Sequence, residues 1–218
     1  MTSRKLLWIL NFSSLILYAM VTAAIGPSLP LISREFNLDP SLAGFLVSIS
    51  SLGAMLSALG GWIADRVGRG LMILISLSIF GLGSVLMGLA PTIFLMGSAM
   101  LCMGIGSGFF EAASNAMISD LYAEKRGMAV SLFNVARNLG LGLGPPIAAL
   151  LITSMKTWRI VYLAVAPPII LLATTISFSS RGLSAVKRFN LQRGELSGLL
   201  KIMPIACLLY TSPSPRDS

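Results

Sequence analysis

Two charged side chains, Glu111 and Arg137, stand inside long apolar runs of this sequence. A charge in a lipid interior costs several kcal/mol unless it is paired or faces water. Such a carboxylate and guanidinium have two chemical uses. They can neutralise each other as a static pair between helices, with nearby asparagines bonded across the same contacts. Alternatively they can line a wet cavity, where the guanidinium contacts an anionic or hydroxyl-rich molecule and the carboxyl pairs with it or takes a proton. Helical spacing gathers further polar groups around them: Glu111 and Asn115 fall four apart, and Asn134, Arg137 and Asn138 share one side of a helix. Asn11, Ser14, Tyr18 and Thr22 form another stripe nearer the amino terminus. The candidate binding and coupling residues are therefore Tyr18, Thr22, Glu111, Asn115, Asn134, Arg137 and Asn138.

The elements that must position these residues follow from composition. The 218 residues are 55% hydrophobic and 11% charged, with mean hydropathy +0.85, against about 25% charged in an ordinary soluble domain. A soluble fold has too little interior to hide this many apolar segments of membrane length, so the bilayer must cover them. Between Lys5 and Arg34 lie 28 uncharged residues, enough to cross a hydrocarbon core of about 30 Å with some tilt, and long for a cleaved signal peptide. Pro40 to Ala64 is a second span, started by Asp39-Pro40-Ser41. The 41 uncharged residues from Gly70 to Phe110 are too long for one crossing, and Ala90-Pro91-Thr92 divides them. Two spans result, Leu71 to Leu89 and Thr92 to about Ser119. Arg126 to Ser154 is the fifth and Trp158 to Phe178 the sixth. In this frame Glu111 and Arg137 differ in depth by only about 5 Å.

Alternate connections differ sharply in charge. One side carries Arg4, Lys5, Arg66, Arg69, Lys125, Arg126, Arg181, Lys187, Arg188 and Arg193, and the other only Arg34, Lys156 and Arg159. The basic side is the cytoplasmic one, which puts the amino terminus and the loop after the sixth span in the cytoplasm. The net charge of +8 then faces anionic lipid; it forms no basic face or aromatic stripe of the kind that binds nucleic acid. The sequence has no histidine, which removes Ser-His catalysis and most zinc chemistry from these residues. Glu111 and the aspartates alone are a poor basis for hydrolysis in a bilayer, so no enzyme, cofactor or metal is expected. Cys102 and Cys207 have no metal-ligand spacing and suggest no disulfide framework. The expected domains are a six-helix bundle over residues 1–178, a central loop over 179–198, and a truncated seventh span over 199–218. The closing Cys207 to Ser218 looks like translated adapter sequence rather than a native tail.

The connection between the second and third spans reads Gly61-Trp62-Ile63-Ala64-Asp65-Arg66-Val67-Gly68-Arg69-Gly70. It resembles the major facilitator signature G-x-x-x-D-R-x-G-R-R/K, departing at Gly70, where a second basic residue is usual. Glu124-Lys125-Arg126-Gly127 and Trp158-Arg159 also look like loop signatures of that family, and Gly140-x-x-x-Gly144-Pro145 resembles its antiporter-associated motif, although close helix packing explains that pattern equally well. The resemblance covers roughly residues 6 to 195. It implies an all-α membrane protein: the amino-terminal six-helix bundle of a transporter, built as a three-plus-three inverted repeat, with the second half missing. No sequence match between the first and last three spans supports that repeat, so it rests on the resemblance.

The resemblance implies alternating-access movement of a small organic solute, an organic anion or sugar-like compound, across a prokaryotic cytoplasmic membrane. Gly61, Asp65, Arg66, Gly68 and Arg69 would then be gating residues, with Asp120 completing a charge latch. The implied partners are the solute, a coupling proton or ion, the bilayer and the other half of the same transporter. Two alternatives stay open: a drug/proton antiporter of the same superfamily and a self-associating six-helix channel or scaffold. Against the drug reading, Met100 precedes Gly104-Ile105-Gly106 where many proton-driven exporters carry arginine.

Overall fold

The computed structural model describes residues 2–181, and every regular element among them is helical. Helices α1 (Thr2–Ala23) and α2 (Ile25–Glu35) make the first span, and α3 (Pro40–Met55) and α4 (Ser57–Val67) the second. The third is α5 (Arg69–Leu89) and the fourth α6 (Ile93–Leu121). After a 3₁₀ turn at Ala123–Lys125 come α7 (Arg126–Met155) and α8 (Arg159–Arg181). Six segments are thus long and apolar enough to cross a membrane. The loop expected over 179–198, beyond the end of α8 at Arg181, lies outside the described residues, as does everything expected over 199–218.

Two spans expected as single helices are broken. Pro27 has no N–H to return to the carbonyl of Ala23, and the first span divides there, with the Ala24 N–H bonding back to Met20 O at 3.0 Å. The second span divides at Leu56 without proline: the Leu56 N–H turns to Gly53 O at 3.2 Å, a tightened i−3 bond. Elsewhere the ends follow ordinary local chemistry. Pro40 occupies the first turn of α3, and the Thr92 side chain caps α6 by accepting from Leu95 N at 3.3 Å. Gly68 alone joins α4 to α5, with φ of 103°, a backbone conformation that side chains with a Cβ rarely adopt.

Packing follows a pattern. The first span lies along the fifth and the fourth along the second, while the third meets the fourth and the sixth meets the first. Exchanging spans one to three for spans four to six maps each of these pairs onto another, as an internal repeat requires. The third and sixth spans, which exchange with each other, pack together along α5 and α8. The core of the bundle is apolar and sulfur-rich, with Leu77, Phe80, Met72, Met96, Phe110 and Ile169 fully buried.

At the bundle end opposite the Asp65–Arg69 connection, one polar clamp ties three spans. Glu35 accepts from Trp158 Nε1 and from Arg159, both at 2.6 Å, and Arg159 donates to Ala90 O at 2.8 Å and Gly88 O at 3.3 Å. Arg159→Ala leaves two helix-end carbonyls without their donor and Glu35 with Trp158 alone, and is expected to lower the Tm of the solubilised protein by about 5 °C. An unchanged Tm would show that the clamp adds nothing to stability.

Candidate functional site

A cavity of about 300 Å³ is lined by residues of all six spans, most of them from the first, second and fourth. Tyr18 on α1, Glu111 on α6 and Arg137 on α7 meet at its wall. Arg137 Nε lies 2.7 Å from Glu111 Oε1 and 3.2 Å from the Tyr18 hydroxyl, and that hydroxyl donates to the same carboxylate oxygen. Edge-on contacts hold the Tyr18 ring, with Phe80 at 5.9 Å and Phe110 at 5.3 Å between centroids. The pair is not sealed away: the Arg137 side chain is 41% exposed and that of Glu111 33%, so both remain reachable from the cavity. Chemically this is a neutralised ion pair whose guanidinium keeps free N–H groups for a second acceptor.

The other sequence-derived candidates divide. Thr22 lines the cavity one turn from Tyr18, its hydroxyl bonded to Tyr18 O at 2.9 Å. Asn115, Asn134 and Asn138 do not line it. Asn134 and Asn138 are exposed on α7, whereas Ala136, Gly140 and Gly144 of the same helix are buried. Asn115 is half-buried within the α6 packing. The polar wall instead includes Ser50, Ser51 and Ser57 of the second span and Ser107 of α6. Sequence reasoning passed over these because serine in an apolar span ordinarily bonds its own helix, as Ser50 does to Val47 O and Ser107 to Gly104 O. Facing them is an apolar wall of Phe80, Met87, Met100 and Met103. Tyr162 also contributes, and its buried hydroxyl has no hydrogen-bond partner among the described residues; the Ser28 hydroxyl beside it is bonded to Ala24 O at 2.8 Å. Among the described residues no cluster of His, Cys, Asp and Glu is arranged to hold a metal.

A second polar constellation lies at the Gly68 end of the bundle. Arg69 forms an ion pair with Asp120 at the end of α6, donates to Ala116 O, and stands 3.8 Å from Asp65 one turn before it. The guanidinium thus bridges the second-to-third connection and the fourth span. Arg66 does not join it; it lies over the Trp62 ring, 3.7 Å from the centroid, with both side chains exposed. Gly61 faces Ala112 of α6, where an added Cβ would make ordinary contact at 3.9 Å. Asp65 and Asp120 are both well exposed, so these ion pairs contribute little to stability as such and matter by where they hold the helix ends.

Six apolar spans, a signature-bearing turn and a polar cavity at the helix crossing narrow the possibilities, and the family comparison decides them: the Major Facilitator Superfamily model matches residues 12–209. The chain belongs to the major facilitator superfamily. This facilitator chain is an integral membrane protein of a family of transporters rather than enzymes. It is 27% identical over 196 residues to the uncharacterized MFS-type transporter YfiU of Bacillus subtilis, covering 88% of the chain and 37% of that relative. Identity to the multidrug resistance protein Stp of Mycobacterium tuberculosis is 28% over 190 residues, covering 85% and 35%. Identity to the galactose-proton symporter of Escherichia coli is 26% over 179 residues, covering 80% and 38%. The chain thus spans well under half the length of these curated relatives. Its fold matches the solved structure of the proton:xylose symporter XylE with a TM-score of 0.71 at 23% identity, over 81% of this chain and 45% of that one.

Proposed function

We propose that this chain is the amino-terminal six-helix half of a secondary carrier, which moves a small organic solute by alternating access. The solute binds in the cavity beside Tyr18, Glu111 and Arg137. The observation that carries this reading is the charged pair on the wall of a cavity within the membrane: a pair serving packing alone gains nothing from facing open space. Arg137 holds an oxygen-rich group of the solute, and Glu111 exchanges a coupling proton, releasing or recapturing the guanidinium as its charge changes. Similarity to a galactose-proton symporter supports a small hydroxylated solute and proton coupling. Similarity to Stp, together with the methionine-lined wall, favours a second reading as an exporter of more apolar compounds.

The second six-helix half would cover the second and fifth spans, the least buried of the six, where Phe45, Leu52 and Leu59 and then Val135, Leu139 and Leu143 are exposed. Arg69, held between Asp65 and Asp120, would latch the two halves in one access state, with Gly61, Arg66 and Gly68 shaping the turn. By the distribution of basic residues this end and the amino terminus face the cytoplasm of a prokaryotic cell.

The test is uptake by the complete transporter in proteoliposomes, with an imposed proton gradient and three probes: a hexose, a small organic carboxylate and a lipophilic cation. Gradient-driven accumulation of the hexose or carboxylate, lost in Glu111→Gln while downhill exchange persists, is the expected result. Accumulation of the cation alone would favour the exporter reading. Movement of none of the probes under any gradient would remove the carrier assignment.

A further inference from the structure

The Glu35–Arg159 pair occupies the positions that Arg69–Asp120 takes when spans one to three are exchanged for spans four to six. Arg69 is the first residue of α5, in the third span, and Arg159 is the first residue of α8, in the sixth. Asp120 lies one residue before the end of α6, in the fourth span, and Glu35 ends α2, in the first. The third and sixth spans exchange, as do the first and fourth, so one ion pair falls on the other. An inverted repeat places such counterparts on opposite faces of the membrane, and these two pairs lie at opposite ends of the bundle. The two arginines are alike in exposure, 27% for Arg69 and 28% for Arg159, and each also donates to a main-chain carbonyl. Sequence does not disclose the likeness, because Met155 stands four residues before Arg159 where Asp65 stands before Arg69.

The outer pair fastens a segment that its own backbone holds weakly. Pro27 and Pro30 offer no N–H to the carbonyls of Ala23 and Gly26, and a Cβ on Gly26 would meet nothing within 4 Å. At one end of α2, Ile25 lines the solute cavity; at the other, Glu35 accepts from Trp158 and Arg159. Trp158 in turn meets Tyr162 edge-on, with centroids 6.1 Å apart, and Tyr162 lines the same cavity. We propose that Glu35–Arg159 is a second latch, the outer counterpart of Arg69–Asp120, which holds α2 against α8 and keeps the cavity closed toward the outer face. An exposed pair adds little stability of itself, and its effect here is on whether α2 can tilt about the break at Ala24. Glu35, Trp158 and Arg159 do not line the cavity, so they are positioning residues. Losing an interaction made in one access state shifts the population toward the other: loss of the outer pair favours the outward-open state, and loss of the inner pair the cytoplasm-open state. The inference rests on the carrier reading and on the latch role given there to Arg69.

Thiol labelling from outside intact cells tests it. Thr22→Cys, which puts a reporter thiol on the cavity wall, is made in the complete transporter with every other cysteine, Cys102 included, replaced by alanine. A membrane-impermeant methanethiosulfonate is then added to the medium. Relative to this parent, Glu35→Gln is expected to raise the labelling rate about threefold and Asp120→Asn to lower it by a similar factor. An unchanged rate in Glu35→Gln would overturn the proposal. So would a rise in both variants, which is what general loosening of the bundle gives. If Glu35→Gln is not recovered in the membrane, Trp158→Phe, which removes one donor to the same carboxylate, is judged by the same outcomes. Uptake of the hexose and carboxylate probes by the unaltered transporter separates the two failures. A transporter that moves them without a shift in labelling fails the latch alone, whereas one that moves no probe fails the carrier reading and the latch with it.

Discussion

Gly104→Ala, a change of one methyl group, is expected to lower the Tm of the purified bundle by about 10 °C or to prevent its recovery as a monodisperse species. A Cβ at this position would lie 2.9 Å from Ser50 C and 3.0 Å from Ser50 Cα, and closer still to the Ser50 carbonyl oxygen. These are backbone atoms of a neighbouring helix, so no rotamer change relieves the clash and α3 must move away from α6 as a body. Overpacking a core costs about 1–3 kcal/mol where side chains can adjust, and more where they cannot. Gly108 and Gly53 make the same contact from either side, with added Cβ atoms 2.8 Å from Ala54 O and 2.7 Å from Ile105 N. Separating the helices at one glycine would therefore open the whole seam, including the cavity wall at Ser50, Ser51 and Ser107. Gly142→Ala is the control: an added Cβ there meets nothing within 4 Å, and the Tm should hold or rise slightly. Differential scanning fluorimetry of the three proteins decides the matter. A Tm for Gly104→Ala within about 1 °C of the parent would mean that α3 and α6 do not approach this closely.

Arg137→Gln is expected to reduce solute uptake by the complete transporter by between about tenfold and a hundredfold, the range that loss of one charged hydrogen bond of 1.5–3 kcal/mol supplies. The carboxylate of Glu111 would be left with the Tyr18 hydroxyl alone, as an uncompensated charge on a membrane cavity. Stability should fall as well. The double variant Glu111→Gln/Arg137→Gln should regain most of that stability, because it removes both charges together, but it should not regain uptake. This contrast separates a static pair from a working one: a static pair predicts full function in the double variant. If Arg137→Gln and Glu111→Gln both keep the parent's uptake and pH dependence, the assignment of this site is wrong.

The proximity of Glu111 and Arg137 was legible in the sequence because depth in a membrane is readable. Both residues lie a countable number of residues from a charged helix end, and a rise of about 1.5 Å per residue converts that count to height. Tyr18 was legible as part of a polar stripe, although nothing in its spacing indicated that it would share a carboxylate oxygen with Arg137. The likeness among Asn134, Arg137 and Asn138 was misleading about the cavity. A helix face spans a wide arc, and a step of three residues to Asn134 or of one to Asn138 suffices to turn an asparagine outward from the direction of Arg137. The serines of the second span were invisible as lining residues: Ser50 bonds locally to Val47 O, much as Ser48, which does not line the cavity, bonds to Gly44 O.

Span number, bilayer environment and family were determined by the sequence alone, because they depend on run length, charge placement and a contiguous motif, all of which are local in the chain. The breaks at Ala24 and Leu56, the cavity and the exchange of packing partners between the two sets of three spans were decided only in the tertiary structure. Those features depend on which helix faces meet. In a chain that is apolar nearly all round, hydrophobic periodicity does not distinguish a lipid-facing side from a protein-facing one. Close approaches such as Gly104 against Ser50 choose the partners, and a glycine does not disclose in sequence which backbone will lie against it.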